Sequence, residues 1–120
     1  MTLNDTIEKY KQLTEICMKT DYANKNSVKE HNQSVNKMYE IVNNLLEKFG
    51  GSGLVEFEKL LLVEENKTNV WASFLILEIL NPNKEIEKEA LKIIRKISEG
   101  NSAEALGCKY WLKNWEAKKI

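Results

Sequence analysis

The sequence predicts an all-α domain of about six helices, and two observations support this fold class. Apolar residues recur every three or four positions along most of the chain, which is the spacing of one helix face, and N-capping residue types precede most of these stretches. No segment is a good candidate for a β-strand. With 120 residues, 42% of them hydrophobic, the chain is long enough for one core and too short for two. We therefore expect a single domain over residues 1–120.

Two helices are predicted in the N-terminal part of the chain. The first covers about residues 5–19, after the N-capping types Asn4 and Asp5. Its apolar face contains Ile7, Tyr10, Leu13 and Cys17. The second helix is expected to begin at a capping box formed by Ser27 and Glu30. Its apolar stripe contains Val28, His31, Val35, Met38, Val42, Leu45 and Phe49.

A glycine-rich segment, Gly50-Gly51-Ser52-Gly53, follows the second helix. Glycine readily adopts the left-handed backbone conformation that ends helices, so this segment is the best internal boundary in the chain. It separates N-terminal helices in residues 1–49 from helical hairpins in residues 54–118. The third helix is expected from residue 54 to about residue 63.

The fourth predicted helix, residues 70–80, differs from the others because it is apolar on all sides. Its polar residues are Ser73 and Glu78 alone, so we expect it to lie buried at the centre of the domain. Thr68 is the expected N-cap of this helix.

Two amphipathic helices complete the prediction. The fifth covers residues 84–99 after the N-cap Asn83. The sixth begins near a second capping-box pattern, Asn101 with Glu104. The apolar face of the sixth helix contains Ala105, Cys108, Trp111, Leu112 and Trp115.

The last four helices are joined by short connections, which favours antiparallel helical hairpins. Residues 70–77, 85–91 and 105–112 together resemble a small bacterial HEAT-like family of unknown function, over about residues 28–118. The resemblance implies a right-handed α-α superhelix of HEAT-like hairpins preceded by two N-terminal helices. Members of this family are often encoded beside secreted polymorphic toxins. The resemblance therefore implies an immunity-type role, in which the protein neutralises a toxin partner.

Composition and charge argue against several functional classes. The chain has 18 basic and 18 acidic residues, and Arg95 is its single arginine, so it lacks the donors that usually read nucleic acids. No apolar run is long enough for a membrane span, and the N-terminus lacks the profile of a signal peptide. We expect a cytoplasmic protein that binds neither nucleic acid nor membrane. Cys17, Cys108 and His31 form no metal-binding or redox motif, so we expect no cofactor.

The favoured function is non-catalytic binding of a protein partner. Acidic side chains that could meet a basic partner are Glu56, Glu58, Glu64 and Glu65. The next candidate surface is the pair Leu106 and Tyr110, which the helical spacing places beside the apolar face of the sixth helix.

Two alternative functions remain open at this stage. The first is an enzyme in which His31, Glu78 and Arg95 converge in a cleft. Glu78 would either pair with Arg95 or mark the exposed edge of the fourth helix. The second alternative is a structural domain that oligomerises through an apolar strip on the first helix. The expected state in solution is a monomer or a weak homo-oligomer.

Overall fold

The computed structural model describes residues 2–118, and this part of the chain contains five α-helices and no β-strand. The helices are α1 (Leu3–Met18), α2 (Lys25–Glu58), α3 (Thr68–Ile79), α4 (Lys84–Ser98) and α5 (Ala103–Lys118). Two short 3₁₀ helices, Lys59–Leu62 and Glu65–Lys67, connect α2 to α3. The all-α prediction is confirmed. The structure has five helices where about six were predicted, because the predicted third helix is the end of α2 continued by a 3₁₀ turn.

Helix α1 begins earlier than predicted, at a capping box that the sequence analysis missed. The Thr2 side chain accepts a hydrogen bond from the Asp5 amide at 3.1 Å, and the Asp5 carboxylate accepts one from the Thr2 amide at 3.3 Å. Asp5 therefore belongs to the first turn of the helix rather than to its cap. The predicted apolar face is correct, because Ile7, Tyr10 and Leu13 are buried in the core. Since α1 packs on α2, the apolar strip proposed for oligomerisation is covered by the chain itself.

The capping box predicted at Ser27 is wrong. The N-cap of α2 is Asn24, whose Oδ1 accepts hydrogen bonds from the amides of Asn26 and Ser27 at 2.9 and 3.1 Å. Ser27 lies in the first turn, where its Oγ accepts a bond from the Asp21 amide at 2.8 Å. Asn24 is the N-cap because its side-chain oxygen reaches two free amides at the start of the helix, which is the usual function of an N-cap.

Gly50 interrupts α2, as the glycine-rich segment indicated. Its backbone angles, φ 60° and ψ −146°, lie in a region that residues with a Cβ rarely adopt. The helical conformation resumes immediately, which brings Gly53 against Leu45 and Phe49. A Cβ added to Gly53 would lie 3.0 Å from the Phe49 Cβ, so glycine allows the helix backbone to pack closely here.

Helix α3 lies at the centre of the domain, as its all-apolar sequence predicted. It contacts α1, α2 and α4 as well as both 3₁₀ helices. The predicted cap Thr68 is instead the first residue of the helix, after two residues in the left-handed conformation, Asn66 and Lys67. The Thr68 hydroxyl donates to the Glu65 carbonyl and lies 2.8 Å from the Thr14 hydroxyl, which ties α3 to α1.

The two C-terminal helices follow the predicted pattern closely. The Asn83 side chain accepts a hydrogen bond from the Ile86 amide at 2.9 Å and caps α4 as predicted. At the start of α5 the cap is Ser102 rather than Asn101, because the Ser102 hydroxyl accepts from the Ala105 amide at 3.0 Å. Helix α4 packs on α3 and α5 packs on α4. Two recesses form beside these helices, one along α4 and one between α3 and the turn that joins α1 to α2.

Candidate binding surfaces

The four predicted acidic residues do not form one patch. Glu56 and Glu58 are two positions apart on α2, so their side chains point away from each other, and Glu56 pairs with Lys59 at 2.7 Å. Glu58 and Glu64 both line recesses beside α4, whereas Glu65 faces the polar side of α1. The structure therefore divides the four residues between different faces, and their role in binding a basic partner stays a prediction.

Leu106 and Tyr110 are exposed on α5, as their spacing predicted. Leu106 is 53% exposed and Tyr110 is 62% exposed, whereas Cys108 and Leu112 point into the core. Their exposure leaves them free to contact a partner, and their role in binding stays a prediction.

The three residues of the enzyme hypothesis have separate partners. The exposed Glu78 carboxylate accepts hydrogen bonds from the Tyr39 hydroxyl at 3.0 Å and from the Trp111 indole at 2.8 Å. Burial, and then the bond to Glu78, raise the pKa of Tyr39 to about 12. Arg95 lies 3.7 Å from Glu116, so the suggested pairing of Glu78 with Arg95 is wrong. The alternative interpretation, that Glu78 marks the exposed edge of the central helix, agrees with the structure.

The first recess, which we call the α4 groove, runs between α4 and the end of α2. It consists of two adjoining cavities of about 330 and 440 Å³ that share Leu61, Glu89 and Ile93. Leu62 is 85% exposed and Val55 is 53% exposed at one end of the groove. Its other lining residues are Glu58, Lys59, Ile86, Glu64, Lys67, Asn69, Val70, Lys92, Lys96, Ile97 and Glu104.

The sequence contains one signal for the α4 groove that the sequence analysis did not use. Leu60, Leu61 and Leu62 are consecutive, and three consecutive side chains on a helix cannot all face one core. Leu60 and Leu61 are buried, and Leu62 takes the exposed position.

The second recess, which we call the aromatic cleft, has a volume of about 410 Å³. His31 lines it between two other rings, with ring centroids 5.8 Å from Tyr22 and 6.3 Å from Trp71. The remaining lining residues are Cys17, Met18, Asn66, Lys67, Val70, Phe74 and Glu104. A hydrogen bond between Lys67 and Glu104 lies at the boundary between the aromatic cleft and the α4 groove, because both residues line both recesses. In the sequence His31 falls on an apolar stripe, and this pattern does not predict the cleft.

Comparisons with known protein families, with curated proteins and with solved structures find no match to this chain. The HEAT-like relationship and the immunity-type role stay predictions, and the functional inference depends on the chemistry of the two recesses.

The side chains of chemically reactive types that line the aromatic cleft are Cys17, His31, Lys67 and Glu104. Within residues 2–118, no group of three or more Cys, His, Asp and Glu side chains is placed to hold a metal ion. Cys17 and Cys108 are buried free thiols, and burial raises the pKa of both, which disfavours the nucleophilic thiolate. None of the helices described is long and apolar enough to cross a membrane. What the α4 groove offers is apolar surface with charged edges, which is suited to binding.

Proposed function

We propose that this chain is a non-catalytic protein-binding domain that holds an amphipathic segment of a partner in the α4 groove. The observation that carries the proposal is the exposure of Leu62 and Val55 at the end of a continuous groove whose floor includes Leu61 and Ile93. Apolar side chains in such a groove bind the apolar face of a partner helix. We expect the partner to bury Leu62 and this residue to be a hot spot of binding. Truncation of a side chain buried at the centre of an interface costs more binding energy than truncation of a rim contact.

Charged residues of both signs surround the apolar centre of the groove. Glu58, Glu64 and Glu89 line it together with Lys59, Lys92 and Lys96. Mixed charges at a rim select for a complementary protein surface, whereas a polyanion such as nucleic acid would meet the carboxylates unfavourably. This distribution supports a protein partner.

The narrower form of the proposal is an immunity-type role, in which the partner is a toxin. It rests on the resemblance of three helical segments to the HEAT-like family, and the proposed superhelix would consist of the hairpins formed by α3, α4 and α5. The packing of α3 on α4 and of α4 on α5 supports this arrangement. The first partner to test is therefore the protein encoded next to this chain.

A substitution at the exposed leucine tests the groove without disturbing the core. Leu62→Ser should weaken binding of the neighbouring gene product about tenfold, the loss expected when a contact worth about 1.4 kcal/mol is removed. Isothermal titration calorimetry would measure the dissociation constant. Leu46→Ser is the matched control, because Leu46 is 43% exposed on α2 and lines neither recess. Equal affinities for the two variants would contradict the proposal.

Charge reversal tests the rim of the groove separately. Glu64→Lys should slow association with a basic partner several-fold, whereas Glu65→Lys should leave the association rate almost unchanged, because only Glu64 lines the groove. Stopped-flow kinetics at two salt concentrations would compare the two rates. If both substitutions slow association equally, the net charge of the turn controls the association rate, and the position of Glu64 in the groove does not.

A further inference from the structure

The aromatic cleft has the size and lining of a small-molecule site. Its volume of about 410 Å³ falls within the range of about 300–1,000 Å³ that is typical of ligand pockets. A cavity of about 150 Å³ is enough to bind benzene, so this cleft has room for a ligand of two fused rings. The side chains of Tyr22, Trp71 and Phe74 provide aromatic surface against which such rings can pack.

The hydrogen bonds of His31 define which of its ring nitrogens a ligand can use. The Thr20 hydroxyl lies 3.2 Å from the Ile16 carbonyl, which can only accept, and both contacts of the hydroxyl are satisfied together when its single hydrogen goes to Ile16. Thr20 Oγ1 then accepts from His31 Nδ1, which lies 3.0 Å away. In the neutral imidazole, Nε2 is therefore an acceptor. Within residues 2–118 this nitrogen has no hydrogen-bond partner.

The charges around the cleft favour a neutral ligand. The lysine and glutamate that line it, Lys67 and Glu104, are hydrogen-bonded to each other, so neither charge is left to pair with an ion. The Cys17 thiol in the lining is buried and protonated, which makes covalent capture of a ligand unfavourable. The cleft thus offers aromatic surface and one acceptor, and little else.

We propose that the aromatic cleft binds a small, uncharged, planar heteroaromatic compound that donates an N–H hydrogen bond to Nε2 of His31. The ligand packs among the rings of Tyr22, Trp71 and Phe74. This site lies on the other side of the Lys67–Glu104 pair from the α4 groove, so it does not depend on the identity of a protein partner.

Indole and 1-methylindole test the proposal, because they share the two fused rings and differ in the N–H donor. The protein should bind indole about tenfold more tightly than 1-methylindole, which is the effect of one lost hydrogen bond. Changes in the amide NMR spectrum during titration would give both dissociation constants and show whether residues of the cleft respond. Equal affinity for the two compounds, or no saturable binding of either, would overturn the proposal.

Two variants test whether the preference for indole over 1-methylindole arises in the aromatic cleft. His31→Phe keeps a ring in place and removes the acceptor, so it should bind indole and 1-methylindole with equal affinity. Tyr110 is exposed on α5 and does not line the cleft, so Tyr110→Ala should retain the preference for indole. Circular dichroism of both variants would verify that the helices are intact. A preference for indole that survives in His31→Phe would place the hydrogen bond elsewhere and overturn the assignment to Nε2.

Discussion

The hydroxyl groups of Tyr10 and Tyr39 lie in opposite environments. Tyr10 is fully buried and packs edge-on against Phe57, with ring centroids 4.9 Å apart. Its hydroxyl has no hydrogen-bond partner in the described part of the chain, and burial raises its pKa well above the usual value. The Tyr39 hydroxyl instead donates to Glu78. The Tyr10 hydroxyl therefore lowers the stability of the fold, whereas the Tyr39 hydroxyl raises it.

The same substitution at these two positions should have opposite effects. Tyr10→Phe should be neutral or stabilising by up to about 1 kcal/mol, because it removes a polar group that lost its water without gaining a partner. Tyr39→Phe should destabilise by about 1 kcal/mol, the net value of a typical hydrogen bond. Urea denaturation of both variants would measure the free energies of unfolding. A loss of more than about 1 kcal/mol in Tyr10→Phe would mean that its hydroxyl has a partner in solution.

Residue partners across the fold could not be predicted from the sequence. Glu78 was recognised as the polar exception in an apolar helix, but its partners Tyr39 and Trp111 lie 39 and 33 positions away. Arg95 is closer in sequence, yet its side chain lies beside Glu116. Pairing over such separations depends on how helices pack, which local sequence does not contain.

At the scale of elements, the two glycines Gly53 and Gly107 show how differently one residue type can act within a helix. A Cβ at Gly53 would lie 3.1 Å from the Leu45 side chain, whereas a Cβ at Gly107 meets nothing within 4 Å. Gly107 therefore weakens α5 without contributing any packing, since glycine is among the poorest helix formers.

Alanine substitution should separate these two roles. Gly107→Ala should stabilise the domain by about 0.5–1 kcal/mol, because alanine restricts the unfolded chain and fits the helix. Gly53→Ala should destabilise it, because Leu45 and Phe49 must move to admit the new methyl group. Thermal unfolding monitored by circular dichroism would give the two shifts. Stabilisation by Gly53→Ala would show that Leu45 and Phe49 leave room for the added methyl group.

The helices were predicted well because their signals are periodic and local. The apolar face of α1, the burial of α3 and the Asn83 cap of α4 all follow from residue spacing. Caps were predicted less well where several suitable residues compete, as at Asn24 and Ser27. The predicted third helix is present as the part of α2 that follows the break at Gly50, and it ends at Glu58, where a 3₁₀ turn continues the chain.

At the scale of the whole molecule, the Lys67–Glu104 bond joins the start of α3 to the start of α5 and separates two recesses of different character. The aromatic cleft is small and offers one acceptor nitrogen. The α4 groove is longer and exposes aliphatic side chains between charges of both signs. The run Leu60, Leu61 and Leu62 indicates an exposed leucine at the α4 groove, but the shape of both recesses was not predictable, because each is formed by segments that are distant along the chain. The predicted acidic patch was dispersed for the same reason.

Hydrogen–deuterium exchange on the complex with the neighbouring gene product tests the central claim, that the α4 groove is the partner-binding surface. The account predicts slower exchange in the segments that form the groove, residues 55–62 and 86–97, when the partner is bound. Residues 106–110 of α5 should exchange at the same rate in the free and bound states. Protection confined to residues 106–110, with none along the groove, would contradict the account and assign binding to the surface around Leu106 and Tyr110.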